Sequence, residues 1–600
     1  MKLLAWLLAA WSCTAAERFD VVVYGATPGG LSAALAAARL GHSVALVEYQ
    51  NHIGGMSASG LGKSDIETRE AIGGLFREFT GRVYRDYVER YGPGHANVKA
   101  SRDGYYYEPS VAERIFEQMV AAESRIRVYK RMRLTEVMRS GDTVVGLRVV
   151  SRDGNAETEF RGKVFIDGTY EGDLAAFAGA EYRVGRESRA ETNELHAGVV
   201  YQDYDTRTFL PGTTGEGDKR VQAYTYRLCL TTDPNNSVVL RDAPPGYDRK
   251  RYLGYIDDWK AGRMRPPTVM KDGVGYFGPT FNTVIRALSI AEIPNRKTDI
   301  NMNPRPLGFP FPEENYAYPE AGWEERERIA TRIRNITLGL LYFLQNDSEI
   351  PAEQRKLANQ YHLARDEFSD NGNFPWQLYV REARRVVGEY VLSENDLISG
   401  PALGRPRIHK NTIVAGEFPI DSFPVRKREP GHDVALEGYI LMLDKFTRPY
   451  QIPYGVIVPK KVDGLLVPVP ASATHVAFST IRVEPTWMAL GQAAGVAAHL
   501  AIAAGLAPRR VDVDQLQRKL LGQGQVLTYF RDIDRSDPAY AALQYFGTKG
   551  FFPDYYARSK DKLDEATAKE WARLAGVPDH RPPAGITRGE YCRMLYERSK

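Results

Sequence analysis

Cysteine is scarce: the 600-residue chain has three, Cys13, Cys229 and Cys592. No two stand in a Cys-x-x-Cys pair, which excludes a dithiol redox centre. No His/Cys cluster has zinc-ligand spacing, and no run suits an iron–sulfur cluster, so no metal is expected. Charge of either sign is not in excess: 79 basic against 75 acidic side chains leave a net charge of +4. Nucleic acid is therefore not an expected partner, nor is an acidic membrane surface. Beyond the first residues the reading finds no apolar stretch of the ~20 residues that span a bilayer, so no transmembrane segment is expected.

What the start of the chain does have is Lys2, an apolar run from Leu3 to Trp11, and the small residues Thr14-Ala15-Ala16 before Glu17. That is the pattern of a secretory signal peptide. It predicts export to the periplasm or beyond, with the mature chain starting at Glu17. Cys13 would suit lipid anchoring, but Trp11 fits that pattern poorly. No twin-arginine pair precedes the run, which leaves the export route open.

Phe19 to Tyr24 is apolar and reads as a buried parallel strand. Gly25-Ala26-Thr27-Pro28-Gly29-Gly30 follows, then an alanine-rich helix from Leu31 to Leu40 ended by Gly41, then a second strand from Ser43 to Val47 closed by Glu48. Gly25 permits a sharp turn at the strand end, and Gly30 permits close packing of helix on sheet. The helix N-terminus offers free N–H groups to a pyrophosphate. A carboxylate at Glu48 suits ribose hydroxyls and repels a 2′-phosphate, which argues against NADP. Thr27 stands where the fingerprint has its middle glycine; its hydroxyl can donate to a phosphate. A βαβ turn without ligand is the plain alternative.

Further on, Ser110 to Ala122 reads as a helix with a Ser110/Glu113 capping box. Arg127 to Val137 and Thr143 to Ser151 alternate as a hairpin turning at Gly141-Asp142. Lys163 to Ile166 is another buried strand, leading into Asp167-Gly168-Thr169 and Glu171-Gly172-Asp173. Residues 181–450 break the βαβ rhythm with proline-rich and polar loops and a helix pair near Glu324 to Leu344. They read as an inserted α+β substrate domain. The apolar pattern returns at Gly464 to Val469. After a loop bearing His475 and Arg482 comes a small-residue helix from Met488 to Ala504, with Gly491-Gln492-Ala493-Ala494-Gly495 at its start.

These stretches carry a resemblance. Val23 to Gly30, Ile53 to Leu61, Phe165 to Ala180, Pro294 to Asn301, Tyr379 to Arg385 and Arg482 to Gly495 resemble the bacterial FAD-dependent oxidoreductase family (FAD_oxidored type), in the glutathione-reductase-like superfamily. Some members carry the label xanthan lyase. The resemblance spans roughly residues 18 to 510. It implies an α/β, Rossmann-type FAD-binding domain in two pieces, 17–180 and 451–510, around the insertion. It also implies that FAD is the single nucleotide, since no second glycine fingerprint appears. Its implied contacts are Gly54-Gly55-Met56 as a second phosphate and ribityl loop, backbone near Leu134 for adenine, and Gly168, Thr169 and Asp173 as a third contact. Gly491, Gln492 and Ala493 would then lie at a helix N-terminus facing the flavin pyrimidine. Residues 511–600 form a small helical module, with Tyr529 to Ile533, Tyr540 to Leu543 and Ile586 to Arg588 resembling one S-layer-homology unit. It either contacts a cell-wall polymer or packs as a cap.

For chemistry, His475 is the candidate base, because imidazole titrates near neutrality. Arg482 either stabilises negative charge on the reduced flavin or pairs with Glu484. Arg381, Arg384 and Arg385 read as one helix face, for an anionic substrate or for ion pairing. Lys297, Asp299 and Asn301 alternate and would share a strand face. The leading expectation is an exported oxidoreductase that passes a hydride from a small organic substrate, such as a carbohydrate or polyol, to FAD and on to an acceptor the sequence does not name. A flavin-dependent lyase or isomerase without net redox, and a wall-binding protein on a flavoprotein fold, are the alternatives.

Overall fold

The computed structural model describes residues 16–154, 156–266, 278–399, 404–442 and 448–598. The residues read as an export signal, Lys2 to Ala15 with Cys13, lie outside them.

Strand β1, Val21–Tyr24, is buried along its whole length. At Gly25 the chain turns with φ +100°, a conformation only glycine adopts freely, and an added Cβ would stand 2.6 Å from the Gly168 carbonyl carbon. Helix α1, Pro28–Arg39, starts with proline in its first turn and Thr27 as N-cap. The chain returns through β2, Val44–Val47, and later β3, Ile126–Tyr129, and β4, Val164–Asp167. The last strand, β5, is Leu465–Leu466. All five are parallel, in the order β5-β4-β1-β2-β3. The sheet is thus completed only by a strand from beyond the insertion. Fold class follows directly: α/β, Rossmann-type, with further layers added.

Three elements differ from their sequence reading. The stretch from Arg127 divides: Ile126–Tyr129 joins the parallel sheet, Arg131 turns at φ +63°, and Met132–Ser140 pairs with Thr143–Ser151 in an antiparallel sheet. The helix at Pro109–Ala121 forms, but no capping box does. Proline opens it, while Ser110 gives its N–H and hydroxyl to Glu367 and Glu113 pairs with His52. The expected helix pair is one 24-residue helix, α2, Trp323–Asn346, buried at Ile329, Ile333, Ile336, Leu340 and Leu344. Those positions recur every three or four residues, so one continuous stripe faces the core.

The inserted region carries a five-stranded antiparallel sheet, in the order Ser237–Val238, His362–Ala364, Leu228–Thr231, Lys297–Met302, Leu288–Ile293. After β5 come α3, His475–Ile481, and α4, Glu484–Ala504. Helix α4 lies in backbone contact with α1: a Cβ on Gly491 would be 1.9 Å from the Gly29 oxygen, and one on Gly495 2.4 Å from the Ala33 oxygen. Contrary to the sequence reading, α4 is long and apolar enough to cross a membrane, but 72% of that window is buried inside the fold. Its apolarity is that of a core helix. The final helices, Tyr540–Gly547, Glu565–Leu574 and Arg588–Arg598, enclose a core containing Phe546, Phe551, Phe552 and Trp571. Tyr555 ties this module to the main body by donating its hydroxyl to the Pro449 carbonyl at 2.6 Å, and the Gln525 amide donates to the Ala489 carbonyl at 2.8 Å.

Candidate functional site

The C-terminal ends of β1, β2 and β4 converge on one solvent-open cleft, lined by Gly25, Thr27, Glu48, Gly55, Thr169 and Asp173 from the sheet side. Tyr226, Trp323, Trp376, Gln377 and Leu378 of the inserted region form the opposite wall.

Glu48, at the end of β2, accepts the Ala26 N–H at 2.5 Å and the Gln50 N–H at 2.7 Å. Burial pushes its pKa up to about 7. Thr27 explains its own departure from glycine. It is extended, so a β-branched side chain fits, and its hydroxyl donates to the Gly168 carbonyl at 2.6 Å while accepting the Gly30 N–H at 3.3 Å. One hydroxyl thereby joins the turns after β1 and β4. Asp167 holds the second turn: it accepts the Thr169 N–H and hydroxyl at 2.9 and 2.6 Å, and the Ala175 N–H at 2.8 Å. Asp173 is gripped by Arg326 at 2.7 and 2.9 Å and by Arg384 at 2.7 Å. Burial raises its pKa, yet these guanidiniums hold it below the ordinary carboxylate value.

At the far end, Gly54 and Gly55 take φ +102° and +48° to start the turn Gly55–Ala58. The Met56 N–H donates to the Tyr170 hydroxyl at 2.9 Å, and that hydroxyl donates to Glu484 at 2.5 Å. Burial pushes Glu484 up to about 8. Its second oxygen and the Thr486 hydroxyl are buried with no hydrogen-bond partner among the described residues. They stand at the true N-terminus of α4, where a polar ring edge would satisfy them. The residues present therefore fit FAD: a carboxylate for ribose, close-packed glycine turns for the pyrophosphate, and unsatisfied polar atoms at a helix start.

Several predicted residues lie elsewhere. Gly29, Gly30 and Gly168 shape the backbone rather than line the cleft; a Cβ on Gly30 would sit 1.9 Å from the Gly25 oxygen. The Leu134 N–H is taken by the Tyr24 hydroxyl at 3.0 Å. Helix α4 starts at Glu484, not Met488, because Pro485 occupies its first turn. Gly491 is therefore inside the helix and packs on α1. Gln492 is held by the Leu75 N–H at 2.8 Å and by Gln523 at 3.0 Å, and Ala493 belongs to the core.

His475 is not in a loop. It opens α3, is buried, and uses both ring nitrogens: Nδ1 on Glu382 at 2.7 Å and Nε2 on the Ser422 hydroxyl at 3.1 Å. Arg482 pairs not with Glu484 but donates to the Tyr379 hydroxyl at 3.1 Å and the Asp421 carbonyl at 2.7 Å. Arg381 to Arg385 is extended, not helical, so its arginines diverge: Arg384 to Asp173, Arg385 to Glu187, and Arg381 to Asn301 of the inserted sheet. Lys297, Asp299 and Asn301 do lie on one strand. Lys297 fills the acidic cluster of Glu108, Asp366 and Glu367 at 2.7 to 2.8 Å, and Asp299 takes Arg227 in two bonds.

The family model described as FAD dependent oxidoreductase matches residues 20–520. This chain belongs to that family. FAD is its cofactor. Among curated proteins it is similar to digeranylgeranylglycerophospholipid reductase 2 of Methanococcoides burtonii, 28% identical over 30% of this chain and 42% of that one. It is also similar to digeranylgeranylglycerophospholipid reductase of Methanothrix thermoacetophila, 32% identical over 22% of this chain and 35% of that one. The chain thus spans well under half the length of these relatives. Among solved structures, glycerol-3-phosphate dehydrogenase from Bacillus halodurans complexed with FAD is 14% identical over 29% of this chain and 41% of that one, with a TM-score of 0.21.

Tyr170, Glu484 and Tyr379 were missed from sequence. Pro485 is the signal for Glu484, since it sets the helix start there. Nothing local marks Tyr170 or Tyr379.

Proposed function

We propose that this oxidoreductase takes a hydride from a carbon of a small organic substrate and passes the electrons to a separate acceptor. The observation that carries the reading is the single cleft uniting Gly25, Thr27, Glu48, Gly55 and Thr169 with an aromatic wall from the insertion. Bound FAD supplies a two-electron acceptor. The chain supplies placement and a group to handle the substrate proton. Glu484 suits that role better than His475: its raised pKa makes its ionised form a stronger base than an ordinary carboxylate and one oxygen has no partner, whereas both His475 nitrogens are engaged. Tyr226, Tyr318, Trp323 and Trp376 at the cleft support a carbohydrate, polyol or hydroxy-ring substrate. We place the enzyme outside the cytoplasm on its apolar start. We read the C-terminal helices as a cap, on the bonds of Tyr555 and Gln525 to the main body.

Purified protein starting at Glu17 should show the visible absorption of oxidised flavin and release FAD on denaturation. Bleaching of that colour by trial sugars or polyols would identify substrate. Turnover without net acceptor consumption would replace the oxidoreductase reading with a lyase or isomerase one.

A further inference from the structure

Beside the cleft lies a buried guanidinium without an acidic partner. Arg381 is 0% exposed. Its faces are covered by Phe423, with the ring centroid 3.5 Å away, and Tyr379, 4.2 Å away. Stacking of this kind leaves only the guanidinium edge for polar partners. Every acceptor along that edge is neutral: the Ala223 carbonyl at 2.8 Å, the Thr225 hydroxyl at 3.0 Å and the Asn301 amide oxygen at 3.3 Å. Its Nε has no partner among the described residues. Among the described residues no carboxylate is recorded in ion-pair contact with it. Burial foremost, and then the like charges of Arg482 and Arg227, pull its pKa down to about 9, so it remains charged at neutral pH.

Arg482 repeats the pattern around the same two rings. It lies 5.7 Å from the Tyr379 centroid and 5.8 Å from that of Phe423, and its Nε is also buried without a partner. The nearby acids do not settle the account. Asp299 is spent on Arg227. Asp65 stands 3.6 Å from Arg227, and Asp421 3.5 Å from Arg482. Burial pushes the Asp421 pKa up, and the charges of Arg482 and Arg381 pull it part of the way back. Side chains of Asp65 and Asp421 are 17% and 21% exposed, so solvent reaches the edge of the cluster. Arg227 and Tyr379 also follow directly in the chain on Tyr226 and Leu378, which line the cleft. A buried charge without a counter-charge is costly unless a partner arrives.

We propose that Arg381 and Arg482 form an anion subsite next to the FAD cleft, and that the substrate carries a carboxylate held there. This rests on the oxidoreductase reading above and narrows it from neutral sugars to acidic ones and other hydroxy or ring acids.

The test uses the full chain loaded with FAD, with flavin absorbance recorded first; failure at that step would count against the cofactor reading, not the subsite. Two matched pairs of probes are then titrated: acetate against acetamide, and D-glucuronate against D-glucuronamide. Flavin difference spectra and melting temperature are the readouts. At least one acid should perturb both where its amide does not. Arg381→Met and Arg482→Met should keep FAD and weaken acid binding roughly ten- to a hundredfold. Equal or absent responses to acids and amides would overturn the proposal, as would unchanged acid affinity in both variants. Should Arg381→Met fail to fold, Arg482→Met and the acid–amide comparison on the unaltered protein decide the matter.

Discussion

The parallel sheet and the inserted region solve the problem of burial in opposite ways. Strands β1, β2 and β4 bury Val21 to Tyr24, Val44 to Val47 and Val164 to Asp167 with little but apolar side chains. Their helices approach so closely that glycine is required at the contacts. The insertion and its seam with the sheet instead bury charge: Arg186 with Glu437, Arg227 with Asp299, Lys297 with Glu108 and Glu367, and Arg385 with Glu187. The first half gains stability without direction, from area removed from water. The second half gains specificity, because each ion pair holds only if both partners are placed.

The comparison can be broken most severely at a glycine. Gly30→Val forces a side chain into a space where even a Cβ meets the Gly25 oxygen at 1.9 Å. The variant should retain essentially no FAD, read as flavin absorbance per unit protein. Next in size, Lys297→Met leaves Glu108 and Glu367 buried without their cation. It should cost about 3–5 kcal/mol in urea denaturation, as breaking a buried pair does. An effect below about 1 kcal/mol would mean that the carboxyls simply take up protons.

Two glutamates sharpen the contrast through pH. In the sheet half, burial raises Glu48 to about 7, so the folded state of the FAD-free protein binds the extra proton. Its stability contribution is present below the unfolded value near 4.5 and is lost as pH rises through 7. In the insertion, burial pushes Glu187 up, but Arg385 and the His475 N–H pull it down further, to about 2. Its contribution is present above about 4.5 and is lost as pH falls toward 2. Glu48→Gln should flatten the neutral limb of the stability profile and Glu187→Gln the acid limb, each by on the order of 2–3 kcal/mol. Identical profiles for the two variants would refute the contrast. The smallest effect is expected from Tyr170→Phe, which removes the bond to Glu484. It should cost about 1 kcal/mol of stability and shift the pH dependence of flavin reduction, with FAD still bound.

Legibility followed the same division. The turn from Gly25 to Gly30, helix α1 and the carboxylate at Glu48 could be read directly, because strand, turn and helix signals act over a few residues. Pro485 marks the start of α4 by the same kind of local signal. His475 looked free for chemistry only because Glu382 and Ser422, which occupy its two nitrogens, are distant in the chain. The Arg381 to Arg385 segment looked helical by spacing, yet Tyr379 pairs with Thr225 and Arg385 with Arg183, which holds the segment extended.

Sequence by itself determined the βαβ start, the single nucleotide fingerprint and the small-residue helix that covers it. These follow from apolar periodicity and from glycine, and both are local properties. Only the tertiary structure decided which carboxylates are buried, which arginines are paired, and that Arg381 is left with neutral partners. Those outcomes depend on burial and on charges far apart in the chain, and no local pattern encodes either.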